Sequence, residues 1–147
     1  ARRAYPIYGR ITGDGEVRAT FEGAHDGYAR LSGRLTHSRM IEYVSPGEWT
    51  VRDTVNGEGI HTIESLLHVH PDYRLLLVGR SAEIRDERGN AILVIAPTPN
   101  VALTIEPGWY FPEFGLEYPN STRVMTYRGT VPVTIIYGMT KMDSTPL

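Results

Sequence analysis

Five histidines lie between residues 25 and 70 of this 147-residue chain, and they are its best candidates for acid–base or metal chemistry. His37 and Arg39 are two residues apart in a segment that predicts a β-strand, so their side chains share one face. A guanidinium on that face can bind a carboxylate through two parallel hydrogen bonds. Arg39 is therefore a candidate for binding an acidic substrate, and an internal ion pair across strands is its alternative role.

His68 and His70 form a second pair with the same spacing, on another predicted strand. Two histidines on one face of a strand can reach the same metal ion, and a carboxylate from a neighbouring strand can complete the ligand set. Asp53, at the end of a strand between the two pairs, is the candidate carboxylate. The alternative is a pair of exposed histidines that binds nothing.

Residues 108–119 hold five aromatic side chains and two prolines, which is unlike both an ordinary loop and a strand. One interpretation is that the segment folds back and caps the end of the core. The other is that it forms an aromatic surface for a sugar ring or a partner domain, because flat apolar rings with a polar edge suit both. On the second interpretation Trp109 and Tyr110 are candidate substrate-binding residues.

The elements that must position these residues are short strands. Val, Ile and Thr make up about a quarter of the chain, and Gly, Pro, Asn and Asp interrupt them at regular spacing. No window of 11 or more residues keeps an apolar helical period. We predict an all-β fold, an antiparallel, jelly-roll-like β-sandwich of about twelve strands. The strands are expected near 4–11, 16–24, 28–35, 37–44, 48–55, 59–69, 73–78, 81–85, 91–96, 101–106, 122–128 and 131–137.

Length and charge exclude several function classes. One sandwich domain is expected over 1–142, followed by a frayed tail at 143–147. A formal charge of −2 argues against a nucleic-acid partner. No apolar run is long enough to span a membrane, and the absence of cysteine excludes disulfides, thiol nucleophiles and Cys-based zinc sites. The chain begins with Ala1 rather than Met, as expected for a processed product or an excised fragment.

An ordered series of motifs across residues 25–137 resembles the β-sandwich domain of heparinase II/III-like polysaccharide lyases, a group that includes exo-acting alginate and oligoalginate lyases. Each motif is weak alone, and their order and spacing carry the resemblance. The motifs are His25-Asp26-Gly27-Tyr28, Thr36-His37-Ser38-Arg39, Val51-Arg52-Asp53, Gly59-Ile60-His61, Leu67-His68-Val69-His70-Pro71, Gly108-Trp109-Tyr110 and Thr130-Val131-Pro132-Val133-Thr134.

The resemblance implies that the sandwich follows an N-terminal α-helical toroid domain and that an acidic polysaccharide lies in the cleft between them. It implies β-elimination on a uronate glycan, with a tyrosine and one histidine supplied by the helical domain. The sandwich of the family contributes a histidine that matches His37, which is our candidate catalytic residue. Because the helical domain is absent from this chain, we expect the chain alone to be inactive. The family also implies a periplasmic or secreted location.

Some members of the family carry a structural zinc in this domain, held by histidines and an aspartate. The resemblance matches the aspartate to Asp53 and a histidine to His68 or His70. Zinc-bearing members read His-x-His on the strand where this chain reads His37-Ser38-Arg39. Here an arginine replaces a ligand, which adds a positive charge where the cation would bind.

Two other function classes remain open beside the lyase domain. A non-catalytic sandwich that binds carbohydrate or protein would be favoured by an exposed 109–118 segment together with a buried, paired His37. A cupin-like metal-binding domain that uses Asp53, His68 and His70 is disfavoured by residue order. Cupins place the carboxylate after the His-x-His pair and add a later histidine, whereas no histidine follows residue 70.

Overall fold

The computed structural model describes residues 3–14 and 16–142, which form eleven strands in two antiparallel sheets. The predicted all-β sandwich is confirmed. No helix in these ranges is long and apolar enough to cross a membrane. The predicted tail at 143–147 lies outside the described residues.

Eight strands form the larger sheet, in the order β1-β2-β3-β4-β11-β8-β7-β6. In the strands that face the smaller sheet, alternation of apolar and polar residues puts one face against the interior, whereas the edge strand Pro6–Gly13 is exposed along its whole length. The strands are β1 (Pro6–Gly13), β2 (Arg18–His25), β3 (Thr36–Val44), β4 (Glu48–Asn56), β6 (Arg74–Val78), β7 (Ser81–Arg85), β8 (Ala91–Pro97) and β11 (Val133–Lys141).

Three strands form the smaller sheet, in the order β5-β10-β9. They are β5 (Ile60–Val69), β9 (Ala102–Tyr110) and β10 (Tyr118–Thr130). The main apolar core lies between the sheets, where Val51, Ile95, Ile135 and Met125 are almost completely buried. Because three strands face eight, part of the larger sheet remains open beside the smaller one.

One predicted strand, 28–35, is wrong, because this segment forms successive turns. Leu31 donates its backbone N–H to the carbonyl of Tyr28, and Arg34 donates to Leu31. Gly33 has a φ of 84°, and a Cβ there would lie 1.9 Å from the carbonyl oxygen of Glu58. This close approach, which requires glycine, ties the segment to the β4–β5 turn. We call residues 26–35 the turn segment.

Residues 108–119 do not cap the core. β9 continues to Tyr110 and β10 starts at Tyr118, so the two strands and their connection form a hairpin that extends beyond the sandwich. Phe114 at its tip is fully exposed, and Trp109 is 57% exposed. We call residues 109–118 the aromatic hairpin.

Candidate functional site

His37, Arg39 and Asp53 meet on the inner face of the larger sheet. Arg39 on β3 lies directly opposite Asp53 on β4, and His37 lies opposite His25 on β2. Side chains two residues apart on a strand point to the same face. The four side chains therefore form one cluster across three adjacent strands, which we call the histidine wall.

The hydrogen bonds of the histidine wall run in one direction. The backbone N–H of Gly27 donates to Nδ1 of His25 at 3.1 Å, so neutral His25 carries its proton on Nε2. That nitrogen lies 3.1 Å from Nδ1 of His37, and Nε2 of His37 lies 2.8 Å from Oδ1 of Asp53. Since a carboxylate only accepts, His37 donates Nε2–H to Asp53 and accepts at Nδ1 from His25.

Asp53 is the buried anion that fixes this direction. Its side chain is 5% exposed, and Arg39 donates to both its oxygens, from Nε at 2.7 Å and from Nη2 at 2.8 Å. Burial alone would raise the pKa of Asp53, but the hydrogen bonds from His37 and Arg39 outweigh burial and hold that pKa below its ordinary value. Asp53 is therefore ionised at neutral pH.

Arg39 forms the internal ion pair that was its alternative role. The hydrogen bonds to Asp53 raise the pKa of the Arg39 guanidinium above its ordinary value, so it keeps its charge. Asp53 accepts from Nε and from one N–H of Nη2, which leaves both N–H groups of Nη1 and the second N–H of Nη2 for a ligand. Because Arg39 already binds Asp53 through two hydrogen bonds, it is not a free guanidinium that could bind a substrate carboxylate in the same way.

A second arginine, Arg123 on β10, lies behind the histidine wall in the core. It is completely buried, and its guanidinium carbon lies 4.5 Å from the centre of the Tyr137 ring. Burial lowers the pKa of Arg123, while the nearby Tyr137 and Asp53 oppose that change. Asp53 therefore interacts with positive charge from both sheets, which adds to the reasons why it stays ionised.

A cavity of about 390 Å³ opens beside the histidine wall. One side consists of the histidine wall itself, with Tyr28, Leu31 and Leu35 of the turn segment next to it. The other side consists of residues 62–66 of β5. His37 has a side chain that is only 19% exposed and both its nitrogens are bonded within the protein. A ligand in the cavity thus meets His25 and Arg39 together with a largely covered His37.

His68 and His70 lie outside both the histidine wall and the cavity. His68 alternates with the buried Val69 on β5, so it points away from the interior, and its Nδ1 lies 2.9 Å from the hydroxyl of Thr122. His70 follows the end of β5, where its ring lies 4.8 Å from the ring of Tyr110 and its Nδ1 lies 3.4 Å from a carboxylate oxygen of Asp72. Asp53 faces the interior from the other sheet.

The three predicted zinc ligands are therefore not brought together. Within the described residues no group of three or more His, Asp or Glu side chains is arranged to hold a metal ion. Both oxygens of Asp53 already accept N–H groups from Arg39, whose positive charge disfavours a second cation. These residues do not fit a zinc ion at Asp53. Zinc binding stays a prediction, and no step below depends on it.

Trp109 and Tyr110 are not part of the cavity either. β5 and β10 pair so that Ser65 in the cavity lies opposite Met125, whereas the aromatic hairpin begins seven residues earlier on β10. At about 3.3 Å per strand residue, the hairpin lies roughly 20 Å from the cavity. The predicted substrate-binding residues thus fall into two separate regions.

Sequence reasoning missed two functional candidates. In the sequence His25 is only one member of the motif series, whereas in the structure it pairs with His37 across β2 and β3. Ser65 belongs to none of the sequence motifs, yet its hydroxyl is buried in the wall of the cavity. The order of the motif series gave a signal for His25, but nothing in the sequence pointed to Ser65.

Comparison with known proteins gives a family. The model of the family described as "Heparinase II/III-like, C-terminal" matches residues 5–143, nearly the whole chain. The comparison with curated proteins gives no match.

Solved structures with the same fold include a heparan sulfate lyase, HepC from Pedobacter heparinus, with a TM-score of 0.77 at 14% identity over 99% of this chain. A heparinase III, the BT4657 gene product, gives a TM-score of 0.69 at 13% identity over 92% of this chain. This chain spans only 22% and 20% of those two chains, respectively. At such identities the likeness shows the fold alone.

Proposed function

The chain belongs to the heparinase II/III-like family as a C-terminal domain, and we propose that it forms one wall of the substrate cleft in a polysaccharide lyase. The substrate would be a uronate glycan, cleaved by β-elimination. The observation that carries this proposal is the chain of hydrogen bonds from Gly27 through His25 and His37 to Asp53, which lies in the wall of a cavity.

β-Elimination on a uronate needs three groups. A base removes the proton at C5, the electrons of that C–H bond form the C4–C5 double bond, and the C4–O bond breaks. The leaving oxygen takes up a proton, and a positive or hydrogen-bonding group offsets charge on the substrate carboxylate. The histidine wall offers one proton acceptor, His37, and one cation, Arg39. It therefore supplies part of this machinery.

His37 is oriented as a proton acceptor by Asp53. Because Nε2–H donates to the carboxylate, the lone pair of His37 is on Nδ1. His25 covers this nitrogen at 3.1 Å. In our proposal the substrate displaces His25 from His37, and Nδ1 of His37 then contacts the substrate. His25 would turn toward Tyr28, whose ring centre lies 5.4 Å from its own.

The remaining groups would come from an N-terminal helical domain, the partner that the family resemblance implies. Much of the rate of an enzyme comes from holding two reacting groups on the substrate at once. The chain alone carries only one side of the proposed cleft. We therefore expect it to bind uronate oligosaccharides weakly and to show no elimination.

Binding to the isolated chain tests the proposal. In a two-dimensional NMR titration with an alginate tetrasaccharide at millimolar concentration, the resonances of His25, His37 and Arg39 should shift. Those of Asp72, more than half exposed and outside the cavity, should not shift. Absorbance of the unsaturated product should stay flat. No shift with alginate, hyaluronan or heparan sulfate fragments would overturn the proposal, as would shifts confined to residues outside the cavity.

A second candidate function, non-catalytic protein binding, is favoured by the aromatic hairpin. Its exposed side chains Trp109, Phe111 and Phe114 form an apolar surface of the kind found at protein interfaces. Residues 107–122 contain Glu113 and Glu117 and no Lys or Arg, so an acidic glycan would meet repulsion there. His37 is also largely buried and paired, as this alternative requires.

Both functions can belong to one domain, since the cavity and the aromatic hairpin are separate. In that case the hairpin binds the protein partner and the cavity faces the glycan. A purely non-catalytic domain would retain partner binding and lose nothing in turnover when His37 is replaced. The effect of His37→Ala on the complete enzyme therefore separates the two candidates.

A further inference from the structure

The family resemblance implies a histidine ligand for zinc at the position that Arg39 occupies. In the structure this position lies on β3, directly opposite Asp53 on β4. Side chains that are paired in this way across two strands are close enough to contact each other. The residue at position 39 is therefore placed to bind Asp53, either as a cation itself or through a metal ion that both residues hold.

Asp53 needs a positive partner because it is buried. Its side chain is 5% exposed, and an ionised carboxylate without a counter-charge strongly destabilises a protein interior. Arg39 supplies that charge through two hydrogen bonds, at 2.7 Å and 2.8 Å. Because a guanidinium does not lose its proton in proteins, the pair persists at every pH at which the carboxylate is ionised.

The contacts of Asp53 use the oxygen lone pairs that a metal ion would need. Asp53 accepts three N–H groups, one from His37 and two from Arg39, of the roughly four that a carboxylate can accept. Zinc binds a carboxylate oxygen at about 2.0–2.2 Å, which is closer than any of these donors, so it would have to displace one of them. The guanidinium cannot become a ligand itself, because it has no acceptor lone pair.

A second cation in the core also disfavours a divalent ion at Asp53. Arg123 is completely buried, and its charge interacts with that of Asp53 across the core. Exchange of Arg39 for a divalent ion would add one more positive charge to this group, in an interior where like charges repel each other strongly. The singly charged guanidinium is therefore the cation that fits these surroundings.

We propose that the Arg39 guanidinium replaces the metal ion in this domain. It neutralises Asp53, and Asp53 in turn accepts Nε2–H of His37, so Arg39 is a positioning residue that acts through Asp53. The histidine wall then keeps its geometry without zinc at Asp53. This proposal concerns the internal structure of the domain and does not depend on whether the cavity binds a glycan.

Metal content is the first test. Wild-type chain and Arg39→His are equilibrated with zinc, dialysed and analysed by elemental mass spectrometry, with Arg52→His as the matched control. Arg39→His places an imidazole opposite Asp53 and near His37, whereas Arg52→His places one beside Glu42. We expect Arg39→His to retain about one zinc per chain, and the wild type and Arg52→His to retain at most about a tenth of that amount.

Melting temperature and NMR give independent measurements. Zinc should raise the melting temperature of Arg39→His by about 5 °C, as expected at about a hundredfold above the dissociation constant, and leave that of the wild type unchanged. The Nε2–H resonance of His37 should disappear only in the zinc-bound variant, because Nε2 becomes a ligand. Without metal, Arg39→Met should lower the melting temperature by roughly 8 °C. Arg39→Lys should lower it less, because lysine keeps the charge and loses the two-pronged contact.

Three results would overturn the proposal. Stoichiometric zinc in the wild type that Asp53→Asn removes would show that a metal is held beside Arg39. No gain of zinc by a folded Arg39→His would show that Arg39 does not occupy the place of a metal. Equal losses of melting temperature in Arg39→Lys and Arg39→Met would show that Asp53 does not need the charge. Circular dichroism establishes that each variant is folded, and the wild-type metal content decides the question even if Arg39→His does not fold.

Discussion

Two pairs of side chains look alike in the sequence and differ in the structure. His37 and Arg39, like His68 and His70, are separated by one residue on or next to a strand. The first pair faces the interior, contacts a buried carboxylate and borders a cavity. The second pair lies on the outer surface, where His68 contacts Thr122 and His70 contacts Asp72 and Tyr110.

The difference shows what strand spacing does and does not determine. Residues two apart share a face only while both belong to the strand, and β5 ends at Val69, one residue before His70. Which face they share depends on how the sheets pack. The residue that each side chain contacts is then determined by the neighbouring strand. β4 brings Asp53 opposite Arg39, whereas β10 brings a threonine opposite His68.

The largest expected effect is on the stability of the fold, which should depend on the carboxylate beside His37 and Arg39 and not on the carboxylate beside His70. Asp53→Ala should lower the free energy of unfolding by about 3 kcal/mol, because it leaves Arg39 and His37 without the buried carboxylate that both of them bind. Asp72→Ala, the matched change beside His70, should cost less than about 0.5 kcal/mol because Asp72 is exposed. Denaturant unfolding measures both. Equal losses would show that Asp53 has no special place in the fold.

A second comparison concerns turnover in the complete enzyme that contains this domain. His37→Ala should lower kcat by about 100-fold or more, since a positioned proton acceptor typically contributes that much. His70→Ala should leave kcat within about twofold because His70 lies far from the cavity. The assay follows the unsaturated uronate product. Unchanged turnover in a folded His37→Ala enzyme would remove His37 from the mechanism.

A third comparison follows the free energy of unfolding as a function of pH, and its expected effect is smaller. Because the pKa of Asp53 is below its ordinary value in the folded state, its carboxylate stabilises the fold above pH about 4, near the pKa of an unfolded aspartate. This stabilisation is lost as pH falls through the folded pKa. The difference in unfolding free energy between wild type and Asp53→Asn should therefore be constant above pH about 5 and shrink below pH about 4.

Denaturant unfolding from pH 7 downward would follow this change, with Asp72→Asn as the control. The difference between wild type and Asp72→Asn should stay small throughout. A wild-type advantage over Asp53→Asn that grows as the solution becomes more acidic would contradict the direction of the pKa change.

The sequence was a good guide to the strands and a poor guide to the segments between them. Eleven of the expected strands exist, because β-branched residues and regular turn signals act locally. The expected strand at 28–35 failed because its backbone bonds to itself and Gly33 packs against Glu58. The cap expected of residues 108–119 failed because the hairpin ladder continues outward to Tyr110 and Tyr118.

The sequence by itself determined that this chain is an all-β sandwich and that His37 and Arg39 share a face, because strand periodicity and turn chemistry are local properties. The family resemblance also rested on motifs in the sequence. Only the tertiary structure decided that Asp53 pairs with Arg39 rather than with His68 and His70, and that His25 covers His37. Those pairings depend on strand register and on which face is buried, and both arise from contacts between residues far apart in the chain.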